Sequence, residues 1–141
     1  MKSSGLPLPV VLLVLTGAIT LACGSPAKPV SNPGSIESIT ISPAAADAQN
    51  YPNGQVQFTA TGYYNRPPSP ITPLAATWGV CRNNVPATEV TVNSNGLAQC
   101  TAGAAGAYSV FAGDFPNPSC LAISACGGGC MVTGTAQLTC P

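Results

Sequence analysis

Cysteine is the residue type that could carry chemistry in this chain, because its 141 residues include seven cysteines and no histidine. The absence of histidine excludes Ser-His-Asp and Cys-His catalysis and histidine-ligated metal sites. The carboxylates are too few and too scattered to indicate a general acid–base pair; they are Glu37, Asp47, Glu89 and Asp114. We therefore predict a protein that is not an enzyme and that uses no cofactor or metal ion.

The cysteines near residue 130 do not have the spacing of a redox or zinc motif. Three glycines separate Cys126 from Cys130, whereas thioredoxin-like and zinc-knuckle motifs have two intervening residues. An all-thiolate metal site or a redox pair is the alternative to disulfides here. Residues 116–141 contain no Lys, Arg or His to activate a thiolate. Disulfides are the favoured state in an exported chain.

Cys23 ends an N-terminal segment with the anatomy of a signal peptide. Lys2 is positively charged, residues 6–21 are predominantly apolar, and Ala22 is a small residue. The run Ile19-Thr20-Leu21-Ala22-Cys23 resembles the lipobox of bacterial lipoproteins. The resemblance implies cleavage after residue 22, acylation of Cys23 and a lipid anchor in the cell envelope, at the periplasmic face or the cell surface. The alternative is an ordinary secretory signal with an incidental cysteine.

The rest of the chain has the length and composition of one weakly charged domain. Residues 23–34 are small, polar and proline-rich and predict a flexible tether, while residues 35–141 predict the folded domain. After residue 22 there are three basic and four acidic residues, a net charge of −1. Because there is no basic patch, nucleic acid is an unsuitable partner.

Short segments with period-two alternation predict an all-β fold. The clearest has Val56, Phe58 and Ala60 on one face. Asn95-Gly96 predicts a type I′ hairpin turn, and Trp78 is the expected core aromatic. With no helical periodicity in the mature chain, the pattern predicts an antiparallel β-sandwich. The predicted strands are 38–42, 56–62, 77–81, 88–93, 97–101, 107–112 and 131–139.

Residues 38–114 resemble the bacterial immunoglobulin-like domain, group 2. The resemblance implies an immunoglobulin-like β-sandwich of the kind found in surface and adhesion proteins, with no catalytic residues to carry over. The cysteines depart from the family pattern. The matching elements are Ile39-Thr40-Ile41-Ser42-Pro43, Gly54-Gln55-Val56-Gln57-Phe58-Thr59-Ala60-Thr61, Thr77-Trp78, Glu89-Val90-Thr91-Val92 with Asn95-Gly96-Leu97-Ala98, and Gly106-Ala107-Tyr108-Ser109-Val110.

The cysteines other than Cys23 are even in number and can all form disulfides. Because Trp78 and Val80 are expected to face the core, Cys81 should face outward, and we predict that it bonds to Cys100 at the edge of the same sheet. The remaining cysteines are then expected to pair among themselves, and we favour Cys120–Cys140 with Cys126–Cys130 over the other two connectivities.

The loop after the second predicted strand is the candidate contact region. Tyr63, Tyr64 and Arg66 are residue types enriched at binding hot spots; the alternative is a loop packed on its own domain. The sequence thus predicts a non-catalytic, membrane-anchored interaction or structural module with a protein or glycan partner at the envelope. The alternative is a small secreted ligand-binding or inhibitor domain that uses the cysteine-rich segment.

Overall fold

The computed structural model describes residues 32–114, 126 and 131–141, which contain ten β-strands and two short 3-10 helices. The 3-10 helices are Ala48–Asn50 and Pro52–Gly54. The strands are β1 (Ile36–Ser42), β2 (Ala45–Asp47), β3 (Gln55–Gln57), β4 (Thr59–Tyr64), β5 (Thr77–Arg82), β6 (Val85–Pro86), β7 (Val90–Val92), β8 (Leu97–Cys100), β9 (Gly106–Asp114) and β10 (Val132–Cys140).

One layer of the molecule contains β1, β4, β3, β8 and β7. β1 pairs antiparallel with β4, and β3, β8 and β7 form an antiparallel sheet in that order. β3 and β4 are consecutive parts of one segment, separated only by Phe58, whose amide donates to the Gly96 carbonyl at 2.9 Å. The predicted strand 56–62 is therefore present, and it joins the two small sheets into one layer.

The other layer is a five-stranded sheet in the order β2-β10-β9-β5-β6. β9 and β10 pair from Asp114 opposite Val132 to Gly106 opposite Cys140. β2 joins this sheet parallel to β10, although β1, just before it, belongs to the first layer. The layers correspond to the ABED and CFG sheets of an immunoglobulin-like sandwich. The predicted all-β, immunoglobulin-like fold with disulfides is confirmed.

Side chains that alternate along the strands fill the space between the layers. In the first layer Val56, Phe58 and Ala60 are each 1% exposed or less, as their spacing predicts. In the second layer Tyr108 is 2% exposed and Leu138 is fully buried. Burial of a side chain of this size contributes about 1.5–3 kcal/mol relative to exposure. The contact between the layers is therefore the main source of stability.

Trp78 lies at the margin of this core and is only half-buried. Its indole ring covers Gly96, where a Cβ would come within 2.7 Å of the ring. Gly96 also has a φ of +81°, which side-chain-bearing residues rarely adopt. The large aromatics at the centre are instead Phe58 and Tyr108, because β3–β4 and β9 lie inside their layers while β5 lies near an edge.

The type I′ turn lies at Asn83-Asn84 and not at Asn95-Gly96. Asn83 and Asn84 have φ values of 51° and 63° and connect β5 to β6, as a two-residue I′ turn requires. The hairpin between β7 and β8 is present, but only Gly96 in its turn has a positive φ. The Asn93 side chain accepts a hydrogen bond from the Asn95 amide at 2.9 Å, which favours a different turn there.

The disulfides join Cys81 to Cys126 and Cys100 to Cys140. The predicted Cys81–Cys100 bond is wrong because the two residues lie in opposite layers. Cys81 faces outward from β5, as expected, whereas Cys100 shares the inward face of β8 with Ala98. From that face Cys100 reaches Cys140, which is 3% exposed at the inward-facing end of β10.

The predicted bonds Cys120–Cys140 and Cys126–Cys130 are consequently also wrong, since Cys140 and Cys126 have other partners. Cys120 and Cys130 lie outside the described residues. The same holds for residues 1–31, which include the predicted signal peptide, Cys23 and most of the tether. The sandwich itself spans 36–140, within the predicted bounds of 35–141. The described residues include no helix with the length and hydropathy of a membrane span.

Gly134→Ala is expected to destabilise the sandwich. Gly134 on β10 faces β1, and an added Cβ would lie 2.9 Å from the Ile39 carbonyl carbon, so the layers would have to separate. Overpacking of this kind costs about 1–3 kcal/mol. Urea unfolding measures the effect, with Thr133→Ala, at the adjacent exposed position, as the control. A Gly134→Ala protein as stable as the control would contradict this packing.

Removal of the Cys100–Cys140 bond is expected to lower stability by about 4 kcal/mol, the chain-entropy value for a loop of roughly 40 residues. The double variant Cys100→Ala/Cys140→Ala isolates this bond, and Cys81→Ala/Cys126→Ala provides the comparison. Peptide mapping of the unreduced protein should recover Cys81 with Cys126 and Cys100 with Cys140. A peptide that joins Cys81 to Cys100 would refute the layer assignment.

Candidate contact surfaces

The structure separates the side chains of the predicted contact loop. Tyr63 and Tyr64 are consecutive on β4 and so point to opposite faces of the layer. Tyr63 is 40% exposed, and Arg66 is also exposed. Tyr64 is half-buried against the core, and its hydroxyl donates to the Asp114 carboxylate at 3.5 Å. Tyr63 and Arg66 thus remain available for contacts, while Tyr64 joins β4 to the end of β9.

The environment of Tyr64 disfavours its ionised form. Burial raises the pKa of the Tyr64 hydroxyl above its ordinary value, and the negative charge and hydrogen bond of Asp114 raise that pKa further. The neutral hydroxyl is the form that can donate to a carboxylate. The contact between the two layers at this point therefore depends on Tyr64 remaining protonated.

The backbone after Tyr64 is hydrogen-bonded to its own domain. The Asn65 amide donates to the Ser35 carbonyl, and the Ser35 amide donates to the Asn65 side-chain oxygen, both at 3.1 Å. The Arg66 amide donates to the Pro33 carbonyl at 3.2 Å. The loop thereby holds the last residues of the predicted tether. The predicted contact loop therefore has a structural role, and its exposed side chains lie where the tether meets the domain.

A groove of about 600 Å³ lies on the outer face of the five-stranded sheet. Sequence reasoning did not identify it. One wall is the Cys81–Cys126 disulfide, which fixes residue 126 beside β5, and the other is the face of β10. Its polar lining includes Ser109, Thr133, Thr135, Gln137, Asn83 and Asn84.

The floor of this groove is built on glycines. Phe111 faces outward from β9 yet is only 3% exposed. A Cβ at its cross-strand neighbour Gly79 would overlap the Phe111 ring, and a Cβ at Gly113 would overlap the Met131 side chain. Glycine at these positions lets the ring and the thioether lie against the sheet. Phe111, which lies opposite Gly79 on the neighbouring strand, was the sequence signal that could have predicted an apolar patch on the outer face of the sheet.

A cation–π pair lies among the residues that line the groove. The Arg82 guanidinium lies 5.2 Å from the centroid of the Tyr108 ring, and its Nη1 donates to the Tyr108 hydroxyl at 3.3 Å. A cation–π contact of this type contributes about 0.5–1 kcal/mol at an exposed site. Arg82 therefore places one positive charge among the lining residues and covers the polar end of a core tyrosine.

The described residues contain no group of three His, Cys, Asp or Glu side chains arranged to hold a metal ion. Asp47 accepts the Gln49 amide at 3.0 Å, and Glu89 accepts the Thr88 amide at 3.0 Å. These two carboxylates therefore stabilise local backbone turns.

Comparison with known proteins leaves the family open, since the chain matches no protein-family model and no curated protein.

Tyr64 is expected to make stability pH-dependent above its ordinary pKa of about 10. Because the pKa in the folded state is raised, the stabilisation is complete below pH 10 and is lost as the pH rises through the folded-state value. Tyr64→Phe should flatten this alkaline decline in the free energy of unfolding. Tyr63→Phe, at the exposed position next to Tyr64, is the matched control and should show the same alkaline decline as the wild-type protein. An identical alkaline decline in the Tyr64→Phe variant would contradict the proposed contact.

Proposed function

We propose that this protein is a non-catalytic bacterial lipoprotein whose group 2 immunoglobulin-like domain acts as an interaction or structural module at the cell envelope. The observation that carries the proposal is the apolar N-terminal segment ending in Ala22-Cys23, followed by a proline-rich tether and a disulfide-bonded sandwich. Each part has a place in an exported, lipid-anchored protein.

The disulfides support the exported location independently of the signal sequence. Both bonds link distant parts of the chain, with sequence separations of 45 and 40 residues. Disulfides of this kind persist in oxidising compartments and are rare in the cytosol. A small domain with few large aromatics also gains a large part of its stability from them.

The direction of the first strand indicates how an anchored domain would be presented. The predicted tether meets the domain at Pro33, beside Arg66. β1 then leads away from this end for seven residues, which span about 23 Å at 3.3 Å per residue. The Tyr63–Arg66 region would therefore face the membrane side, and the loops beyond Ser42 would point away from it.

A ligand-binding or inhibitor domain is the second candidate, and the groove favours it. Cys126 belongs to the cysteine-rich segment and is covalently attached to β5 at the wall of the groove. A ligand in the groove would therefore contact both the sheet and Cys126. Loss of partner binding on disruption of the Cys81–Cys126 bond, with the fold retained, would favour this second function.

Cys23→Ser tests the lipid anchor. The wild-type protein should have Cys23 as its N-terminal residue, with acyl chains that add membrane affinity at about 0.8 kcal/mol per buried methylene. The variant should remain unprocessed or leave the membrane fraction. Intact mass and detergent partitioning measure both outcomes, and Ser25→Ala in the tether is the control. Cleavage at another position without acyl mass would overturn the proposal.

A further inference from the structure

A second concavity, of about 530 Å³, lies at the end of the sandwich remote from the tether. Residues 48–54 form one side, and residues 101–105, which follow β8, form the other. The Tyr51 side chain is 37% exposed here, and among the described residues only Tyr63 and Val85 are large hydrophobic residues with a greater exposed fraction. Its exposure in a concavity is the observation that points to a ligand.

The frame of this concavity is held by a disulfide and by hydrogen bonds within its own backbone. The Cys100–Cys140 disulfide joins the ends of β8 and β10 beside it. Within the first wall the Tyr51 amide donates to the Ala48 carbonyl, and the Gly54 amide donates to the Tyr51 carbonyl. A preformed site loses little conformational entropy on binding, so even a small contact area can give measurable affinity.

The chemistry of the lining is neutral and rich in amides. Among the described residues, no Asp, Glu, Lys or Arg side chain lines the concavity. Gln49 and Asn53 contribute carboxamides that make no side-chain hydrogen bond within the described part of the chain. A carboxamide can donate and accept at the same time, which suits a pair of neighbouring hydroxyl groups.

The walls leave room for a ring to approach. A Cβ added at Gly54 or Gly103 would meet no atom within 4 Å, so there is open space at both of these lining positions. A phosphate or carboxylate ligand would need a cation, which the lining lacks. A purely apolar ligand would leave the carboxamides without partners.

We propose that this concavity binds a neutral oligosaccharide of gluco configuration. A pyranose with all its hydroxyls equatorial has two apolar C–H faces, one of which can pack on the Tyr51 ring. Its equatorial hydroxyl pairs then meet the carboxamides of Gln49 and Asn53. The inference concerns the folded domain and does not depend on the lipid anchor. Sugar binding can therefore be absent while Cys23 is acylated, and acylation can be absent while sugar binds.

The test is a calorimetric titration of the full chain, kept in a phosphocholine detergent because sugar-headed detergents would compete. The probes are cellotetraose and chitotetraose, with β-1,4-galactotetraose as the axial-hydroxyl control. We expect at least one gluco-configured probe to bind with a Kd below about 10 mM and the galactan to bind more weakly. Absence of binding by both gluco-configured probes, or equal binding of the galactan, would overturn the proposal.

Variants of Tyr51 locate the binding. Tyr51→Ala should weaken binding at least tenfold, on the order of 1.4 kcal/mol, while Tyr51→Phe should keep it because the ring is retained. Val85→Ala removes another exposed hydrophobic side chain, one that does not line this concavity, and should leave the Kd unchanged. If Tyr51→Ala does not fold, two other variants test the site. Tyr51→Phe should keep binding, and Gln49→Leu should weaken it. Binding that survives both Tyr51→Ala and Gln49→Leu would refute this site.

Discussion

The ladder between β9 and β10 is the interaction on which the other features depend. It pairs nine residues of each strand without a break, in the middle of the five-stranded sheet. Its inward side supplies Tyr108 and Leu138 to the core, and its outward side supplies Phe111 and Thr133 to the groove. A shift of one residue in register would exchange these two faces. The core and the groove therefore cannot change independently.

The ends of this ladder are where the layers are joined. Cys140 at one end bonds to Cys100 of the opposite layer, and Asp114 at the other end accepts the hydroxyl of Tyr64. The covalent contact is at the end remote from the tether, and the polar contact is at the near end. This distribution keeps the distal loops in a fixed relation, which a binding surface made of two loops requires.

The five-stranded sheet carries apolar groups on both faces, which is unusual for a sandwich with one outer face in water. Phe111 and Met131 lie against Gly79 and Gly113 on that outer face, and the Cys81–Cys126 bond holds a later part of the chain there. A sheet face of this kind would be an aggregation hazard if left uncovered. The Cys81–Cys126 disulfide holds part of the chain against this outer apolar face, and the groove lies on the same face.

Most of the fold could be predicted because its signals are local. Alternation at 56–60 is a property of neighbouring residues, and it correctly identified Val56, Phe58 and Ala60 as buried. The edge strands β2 and β6 were not predicted, since segments of three and two residues are too short to show a period. The I′ turn was predicted at the wrong asparagine pair because the Asn93 side chain accepts backbone hydrogen bonds in the β7–β8 turn, whereas no described side chain does so at Asn83-Asn84.

The sequence by itself determined the strands other than β2 and β6, the inward-facing residues of β3 and β4, and the outward direction of Cys81. Only the tertiary structure decided which cysteines meet, because a disulfide depends on the distance between strands that are far apart in the chain. Cys81 and Cys100 are separated by few residues yet belong to opposite layers, whereas Cys100 and Cys140 are adjacent only after β8 and β10 have packed. The groove and the distal concavity likewise arise from segments that are far apart in the sequence and that packing brings together.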